Sequence, residues 1–176
     1  MPQRREEVIL VDKGGQMIGT ADKMTVHTRD TPLHLAFSTH VYHPDGRLLV
    51  TRRALSKLTW PGVWTNSFCG HPGPGESTED AVVRRAEREL GLKLRSIAVA
   101  LPDFRYRAVD ASGIVEHEIC PVYTAVAEAD PVPAADEVMD WIWADPATLV
   151  ESVRLTPWAF SPWLVLQLPL LYPENA

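Results

Sequence analysis

Glu116 and Glu118 stand two positions apart in Ile114–Val126, a run whose β-branched content predicts a long strand. Their carboxylates then share one face, about 6.5–7 Å apart along it, a spacing that suits a shared cation. Cys120 continues that face, while Val115, His117 and Ile119 point the other way. Three imidazoles could join the carboxylates: His34 on the polar face of a second predicted strand, His27 in the loop before it, and His71 in a glycine-rich bend. Three histidines with two glutamates would be a five-ligand site of nitrogen and oxygen donors, suited to Mn, Fe or Zn better than to Ca. Taken singly, each has an ordinary reading as a surface charge or a satisfied core histidine, and spacing alone does not make them converge. His40, His43 and His117 are given only that ordinary reading.

The bend belongs to Thr65–Leu92, TNSFCGHPGPGESTEDAVVRRAERELGL, where Cys69 and His71 stand two residues apart ahead of a helix. A nearby cation or helix N-terminus would lower the pKa of such a thiol and make it a usable base or nucleophile; a buried, inert cysteine is the alternative. Gly70, Gly73 and Gly75 could let backbone amides approach an anion. Ser77-Thr78-Glu79-Asp80 predicts a capping box, Val82, Ala86 and Leu90 an apolar stripe, and Gly91 a stop. Arg84, Arg85, Glu87, Arg88 and Glu89 fall off that stripe.

The 176 residues fit one domain, with residues 1–7 and 169–176 expected to be tails. A composition 45% hydrophobic and 23% charged is that of a soluble globular chain. The net charge of -6 argues against a nucleic-acid or anionic-membrane surface. Neither the N-terminus nor Trp163–Tyr172 has the apolar length of a secretory or membrane-spanning segment. Cys69 and Cys120 show no disulfide-framework spacing. A cytoplasmic protein, monomeric or weakly dimeric, is the expectation.

The positioning elements begin with a hairpin, Val8–Asp12 and Met17–Thr20, around Gly14-Gly15. Leu33–Tyr42 alternates cleanly as one strand and Arg47–Arg52 returns beside it; a basic loop, Arg53–Val63, leads to the central stretch. Ser96–Leu101, Asp103–Val109, Ile114–Val126 and Val138–Trp143 read as extended. Asp145-Pro146 and Ser161-Pro162 each open a helix. Strands arranged as hairpins rather than βαβ units predict an α+β fold with a mixed, mainly antiparallel sheet flanked by helices.

The pattern Gly70-X5-Glu76-X7-Arg84…Glu89-X-Gly91-Leu92 resembles the Nudix box, whose helix carries metal-binding carboxylates near a diphosphate. Two of the box's glutamate positions hold Arg85 and Arg88 here. With TNSFCGHP, LHLAFS, DFRYRA, SGIVEHEICPV and TPWAFSPW, the chain from roughly Val8 to Val165 resembles the type I isopentenyl-diphosphate delta-isomerases of the Nudix superfamily. The resemblance implies a Nudix-like fold and interconversion of isopentenyl and dimethylallyl diphosphates. It implies Cys69 as catalytic thiol, Glu118 as the carboxylate across the substrate, and Tyr106 and Trp163 as active-site aromatics. His27, His34, His71, Glu116 and Glu118 match the family's metal ligands, Mn2+ or another first-row ion such as Zn2+ being the expected occupant. Glu89 matches the residue that helps hold Mg2+ against the diphosphate. Lys23, Arg53, Lys57 and Arg85 match its diphosphate-binding cations.

Such an isomerase must add a proton to one carbon, remove another two bonds away, and shelter a tertiary cation between the steps. The π face of Trp163 suits the cation, with Glu118 and Tyr106 expected to add the proton and Cys69 to remove one. The alternatives are a Nudix-type hydrolase, against which Arg85 and Arg88 argue, and a catalytically silent metal- or isoprenoid-binding module, against which the intact Cys69 and Glu118 argue.

Overall fold

The computed structural model describes residues 6–175. In chain order the elements are β1 (Glu7–Val11), β2 (Met17–Asp22), β3 (His34–Leu35), β4 (Phe37–Tyr42), β5 (Leu48–Arg53), β6 (Trp64–Thr65), β7 (Phe68–Gly70) and α1 (Thr78–Leu90). There follow β8 (Leu94–Leu101), β9 (Arg105–Val109), β10 (Val115–Ile119), β11 (Val122–Ala127), β12 (Val138–Ala144), α2 (Pro146–Leu155) and α3 (Pro162–Leu171). One sheet has the order β2-β1-β3-β10-β9, the other β12-β5-β4-β11-β8, with β6 pairing on β5 and β7 on β4. Only β3·β10 and β4·β11 are parallel among these pairings, so the expected α+β fold with mainly antiparallel sheets is what forms.

Those two parallel pairs account for the main departure from the expected elements. Leu33–Tyr42 and Ile114–Val126 are not single strands; each divides, at Ala36 and at Cys120–Pro121, and passes from the smaller sheet into the larger. Pro121 has no N–H to give a ladder, which marks the break. The Ala36 N–H donates to Ile119 O at 2.9 Å and the Ser38 N–H to Pro121 O at 3.1 Å, so the two crossings are bonded to one another. Both faces of β4 are covered. Phe37 and Val41 pack with Val82, Ala86 and Leu90 of α1, while neighbouring Ala36 packs with Val122 and Trp163 of α3. The nominally polar Ser38 and His40 are therefore as buried as the apolar face.

The capping signals act as expected. Ser77 Oγ accepts from the Asp80 N–H and donates to its carboxylate, and Gly91 ends α1 in the left-handed region at φ 59°. Gly91 and Leu92 N–H groups close on Glu87 and Ala86 carbonyls. Arg85 and Glu89, off the apolar stripe, are nevertheless buried, because their side of the helix faces a cavity rather than open solvent. Asp145 and Ser161 cap α2 and α3.

The expected tails need correction. Residues 1–5 lie outside the described residues, but Glu7 already pairs with Asp22 in β1·β2. Helix α3 continues through Pro169 to Leu171: a proline so near the C-terminus disturbs only the last turn, and buried Leu164, Gln167 and Leu168 hold the helix down.

Candidate active site

Strand register brings the first group of residues together. Across β3, β10 and β9, Glu118 pairs with His34 on one side and with Tyr106 on the other. His71 follows β7, and His27 lies in the loop after β2. One donor atom from each of His27, His34, His71 and Glu118 lies within 4.8 Å of all the others. Glu116 approaches through His27, whose Nε2 is 3.0 Å from Glu116 Oε2. His34 Nδ1 lies 2.9 Å from Pro32 O, so the proton sits there and Nε2 presents its lone pair to the cluster. His27 Nε2, His34 Nε2 and Glu116 Oε2 are buried without an aligned hydrogen-bond partner. Buried nitrogen and oxygen donors that converge yet remain orphaned fit a divalent cation.

The Tyr106 hydroxyl donates to Glu118 Oε2 at 3.0 Å. Burial and the neighbouring Glu118 hold this phenol well above its usual pKa, so it keeps its proton. Burial works to raise Glu118 as well, but the neighbouring His34 and His71 imidazoles outweigh it and hold the carboxyl well below the usual carboxylate range.

Cys69 comes from the other sheet, on β7 opposite Ser38. Its Sγ lies 3.3 Å from Ser38 Oγ and 3.4 Å from Asn66 Oδ1. Cys69 is half-buried; Cys120, also free, is buried. The expected lowering of the Cys69 pKa does not occur. Burial pushes it up to about 11, only partly relieved by Ser38 and Asn66. Trp163, in the first turn of α3, donates from Nε1 to Asn66 Oδ1 at 2.9 Å and lies 5.8 Å from the Tyr106 ring.

Cys69, Glu118, Tyr106 and Trp163 line one cavity of about 630 Å3, and Lys23, Arg53, Lys57 and Arg85 line it too. The Arg53 guanidinium sits 5.4 Å from the Trp163 ring centroid. The other three cations face carboxylates: Lys23 meets Glu6, Lys57 meets Glu137, and Arg85 meets both Glu89 and Glu137. Glu89 thus lies on Arg85 and outside the histidine cluster. Gly70 makes the close packing of Arg85 possible, since a Cβ there would lie 2.7 Å from Arg85 Cγ and from Phe37 Cζ. Arg88, by contrast, is exposed and reaches Asp136.

Sequence reasoning missed Asn66, Ser38 and Glu137. Asn66 stands inside the quoted NSFCGH motif but carries no charge, and Ser38 looks like any polar residue of an alternating strand. Glu137 follows an acidic, proline-containing connection with no periodicity to single it out.

Residues 32–164 match the NUDIX domain, the class that this fold and site define. The crystal structure of a Deinococcus radiodurans protein superposes with a TM-score of 0.70 at 20% identity, over 95% of this chain and 99% of that one. The MutT protein from Methanosarcina mazei gives 0.63 at 16% identity, over 82% and 96%; both likenesses speak to fold alone. Within the Nudix superfamily the chain belongs to the type I isopentenyl-diphosphate delta-isomerases. It is 65% identical over 176 residues to the isopentenyl-diphosphate Delta-isomerase of Clavibacter michiganensis subsp. michiganensis, covering 100% of this chain and 91% of that one. The protein of the same name from Kocuria rhizophila is 61% identical over 159 residues, 90% and 88% of the two chains.

Proposed function

We propose that this chain is a metal-dependent isomerase that interconverts isopentenyl diphosphate and dimethylallyl diphosphate. The observation that carries the reading is a single cavity holding a thiol, a Tyr–Glu pair and an indole, with four cations along its wall. Lys23, Arg53, Lys57 and Arg85 would receive the diphosphate, with Lys23, Lys57 and Arg85 exchanging carboxylate partners for phosphate oxygens. The hydrocarbon tail would then extend toward Trp163, Tyr106 and Cys69.

His27, His34, His71, Glu116 and Glu118 would hold a first-row divalent ion such as Mn2+ or Zn2+, which supplies positive charge that keeps Glu118 ionised and oriented. Glu89 would help hold Mg2+ against the diphosphate. Tyr106 fixes the other oxygen of Glu118, and the Trp163 face stabilises the tertiary cation by about 2 kcal/mol or more while apolar walls keep water away. Cys69 and Glu118 carry the proton transfers. They face the cavity from different sheets, Cys69 from β7 and Glu118 from β10, so that one is available at each end of the allylic system.

The hydrolase alternative needs metal-binding carboxylates at the two box positions that Arg85 and Arg88 occupy here. We further propose one domain, a cytoplasmic location and a monomer or weak homodimer. Among the described residues no helix is long and apolar enough to cross a membrane.

Incubation with isopentenyl diphosphate and Mg2+ or Mn2+ in heavy water, followed by NMR, tests the activity. Deuterated dimethylallyl diphosphate is expected. Release of phosphate from nucleoside diphosphate derivatives with isopentenyl diphosphate untouched would establish the hydrolase instead. Metal retention without proton exchange would establish the silent module.

A further inference from the structure

The loop between β5 and β6 contains a residue to which no role has been given. Thr59 is 4% exposed, and its hydroxyl donates to Glu116 Oε1 at 3.0 Å. That bond occupies one oxygen of the carboxylate and leaves Oε2, the buried and unpartnered one, turned toward His27 at 3.0 Å. The carbonyl of the same residue accepts from Arg53 Nε at 3.1 Å and from Nη2 at 2.8 Å. The next residue shows how this is arranged. Trp60 has φ 43°, a left-handed conformation costly for an aromatic residue, and its carbonyl also accepts from Arg53 Nε at 3.1 Å. The turn therefore aims two carbonyls at the guanidinium while the Thr59 hydroxyl points back to the carboxylate. Trp60 is fixed in turn by edge-to-face packing on Trp163, with ring centroids 5.4 Å apart.

We propose that Thr59 is a positioning residue for the metal centre: its hydroxyl sets the rotamer of Glu116 so that Oε2 is offered to the ion, while its carbonyl holds Arg53 over Trp163. The inference rests on the reading of His27, His34, His71, Glu116 and Glu118 as metal ligands. A carboxylate in a buried cluster has two oxygens and a rotatable bond between them; without an outer partner it is free to turn either oxygen, or neither, toward the cation. Outer-shell hydrogen bonds of this kind are worth about 10–100-fold in metal affinity. Arg53 Nη2 also reaches the Thr59 hydroxyl at 3.4 Å, but its shorter contacts are to the Thr59 and Trp60 carbonyls and survive a change of side chain.

The test is titration of the metal-stripped protein with Mn2+ alone, read by calorimetry, for wild type, Thr59→Val, Thr59→Ala and Thr59→Ser. Val keeps the shape and Ala does not, so a loss shared by both reports on the hydroxyl and not on packing. The expected result is a Kd for Mn2+ raised about 10-fold or more in Val and Ala, with Ser close to wild type. Wild-type affinity in Thr59→Val, or an equal loss in Thr59→Ser, would overturn the role given to Thr59 while leaving the metal site standing. Failure of the wild-type protein to bind Mn2+ would overturn the metal reading itself.

Discussion

Tyr106 and Glu118 are register partners on adjacent antiparallel strands, and the phenol donates to the carboxylate at 3.0 Å from a side chain that is 9% exposed. Two neighbouring strands thus set the direction in which the carboxylate faces. Tyr106→Phe removes the bond and little volume. It should lower kcat by about 10²-fold, within the usual range for a group assisting proton transfer, with KM nearly constant. Steady-state kinetics beside a thermal melt will separate this from misfolding; unchanged kcat would remove Tyr106 from the mechanism.

Cys69→Ala deletes one of the two groups proposed to transfer protons. Turnover and deuterium uptake into dimethylallyl diphosphate should fall by at least about 10²-fold. Binding of a non-reactive alkyl diphosphate, measured by calorimetry, should persist because the cations are untouched. Full turnover in this variant would show that the proton assignment is wrong even where the function is right.

The orphaned nitrogens and oxygen of the histidine–glutamate cluster should make folding stability respond to divalent ions. Ion present at about 100 times its Kd stabilises a protein by roughly 2.7 kcal/mol. For a chain of this size that is on the order of 5–10 °C in Tm. Differential scanning calorimetry before and after chelation, and again after adding Mn2+ back, should show the loss and its recovery. A Tm indifferent to chelation would count against a bound ion.

His40 provides a pH effect away from the metal cluster. It is fully buried, its Nε2–H donates to Gln167 Oε1 at 2.8 Å, and burial lowers its pKa from 6.5 to about 4 despite that bond. Because the folded state resists protonation, the unfolded chain binds more protons between those values. Stability should therefore fall as pH drops from about 6.5 to 4 and lose nothing more to this group below that, a total of roughly 3 kcal/mol. Urea titrations across the window should give a shallower dependence for His40→Gln than for wild type; equal slopes would show that His40 is not responsible.

Gly70→Ala would force its new methyl against Arg85 and Phe37. A destabilisation of about 1–3 kcal/mol is expected. A raised KM should accompany it as Arg85 shifts, with kcat less affected. Chemical denaturation and kinetics will check both, and a variant equal to wild type in each would show that Arg85 and Phe37 can yield.

Much of this was legible in the chain. The helix caps at Ser77, Asp145 and Ser161 act through bonds to residues three positions away, so local spacing foretells them. The Glu116–Glu118 pair follows from the strand period, and the family resemblance supplied the partners that spacing could not. What escaped depended on distant surroundings. Alternation in Leu33–Tyr42 gives no sign that the run changes sheets at Ala36, and a thiol's burial is decided by walls from other elements. Thr59 and Asn66 carry neither charge nor periodicity, and their importance lies in what they touch across the fold.

The paired crossings at Ala36 and Cys120–Pro121 also have a mechanical meaning. His34, Glu116 and Glu118 lie on one side of this seam and Cys69 and His71 on the other, yet both sheets are stitched along it by backbone bonds between two continuous chain segments. The reacting groups therefore cannot swing apart like the leaves of a hinge to admit a ligand. Entry and exit fall to the rim, where Met24 and Leu58 stand exposed, and evolutionary tuning of which tails are admitted can proceed there without loosening the chemistry below.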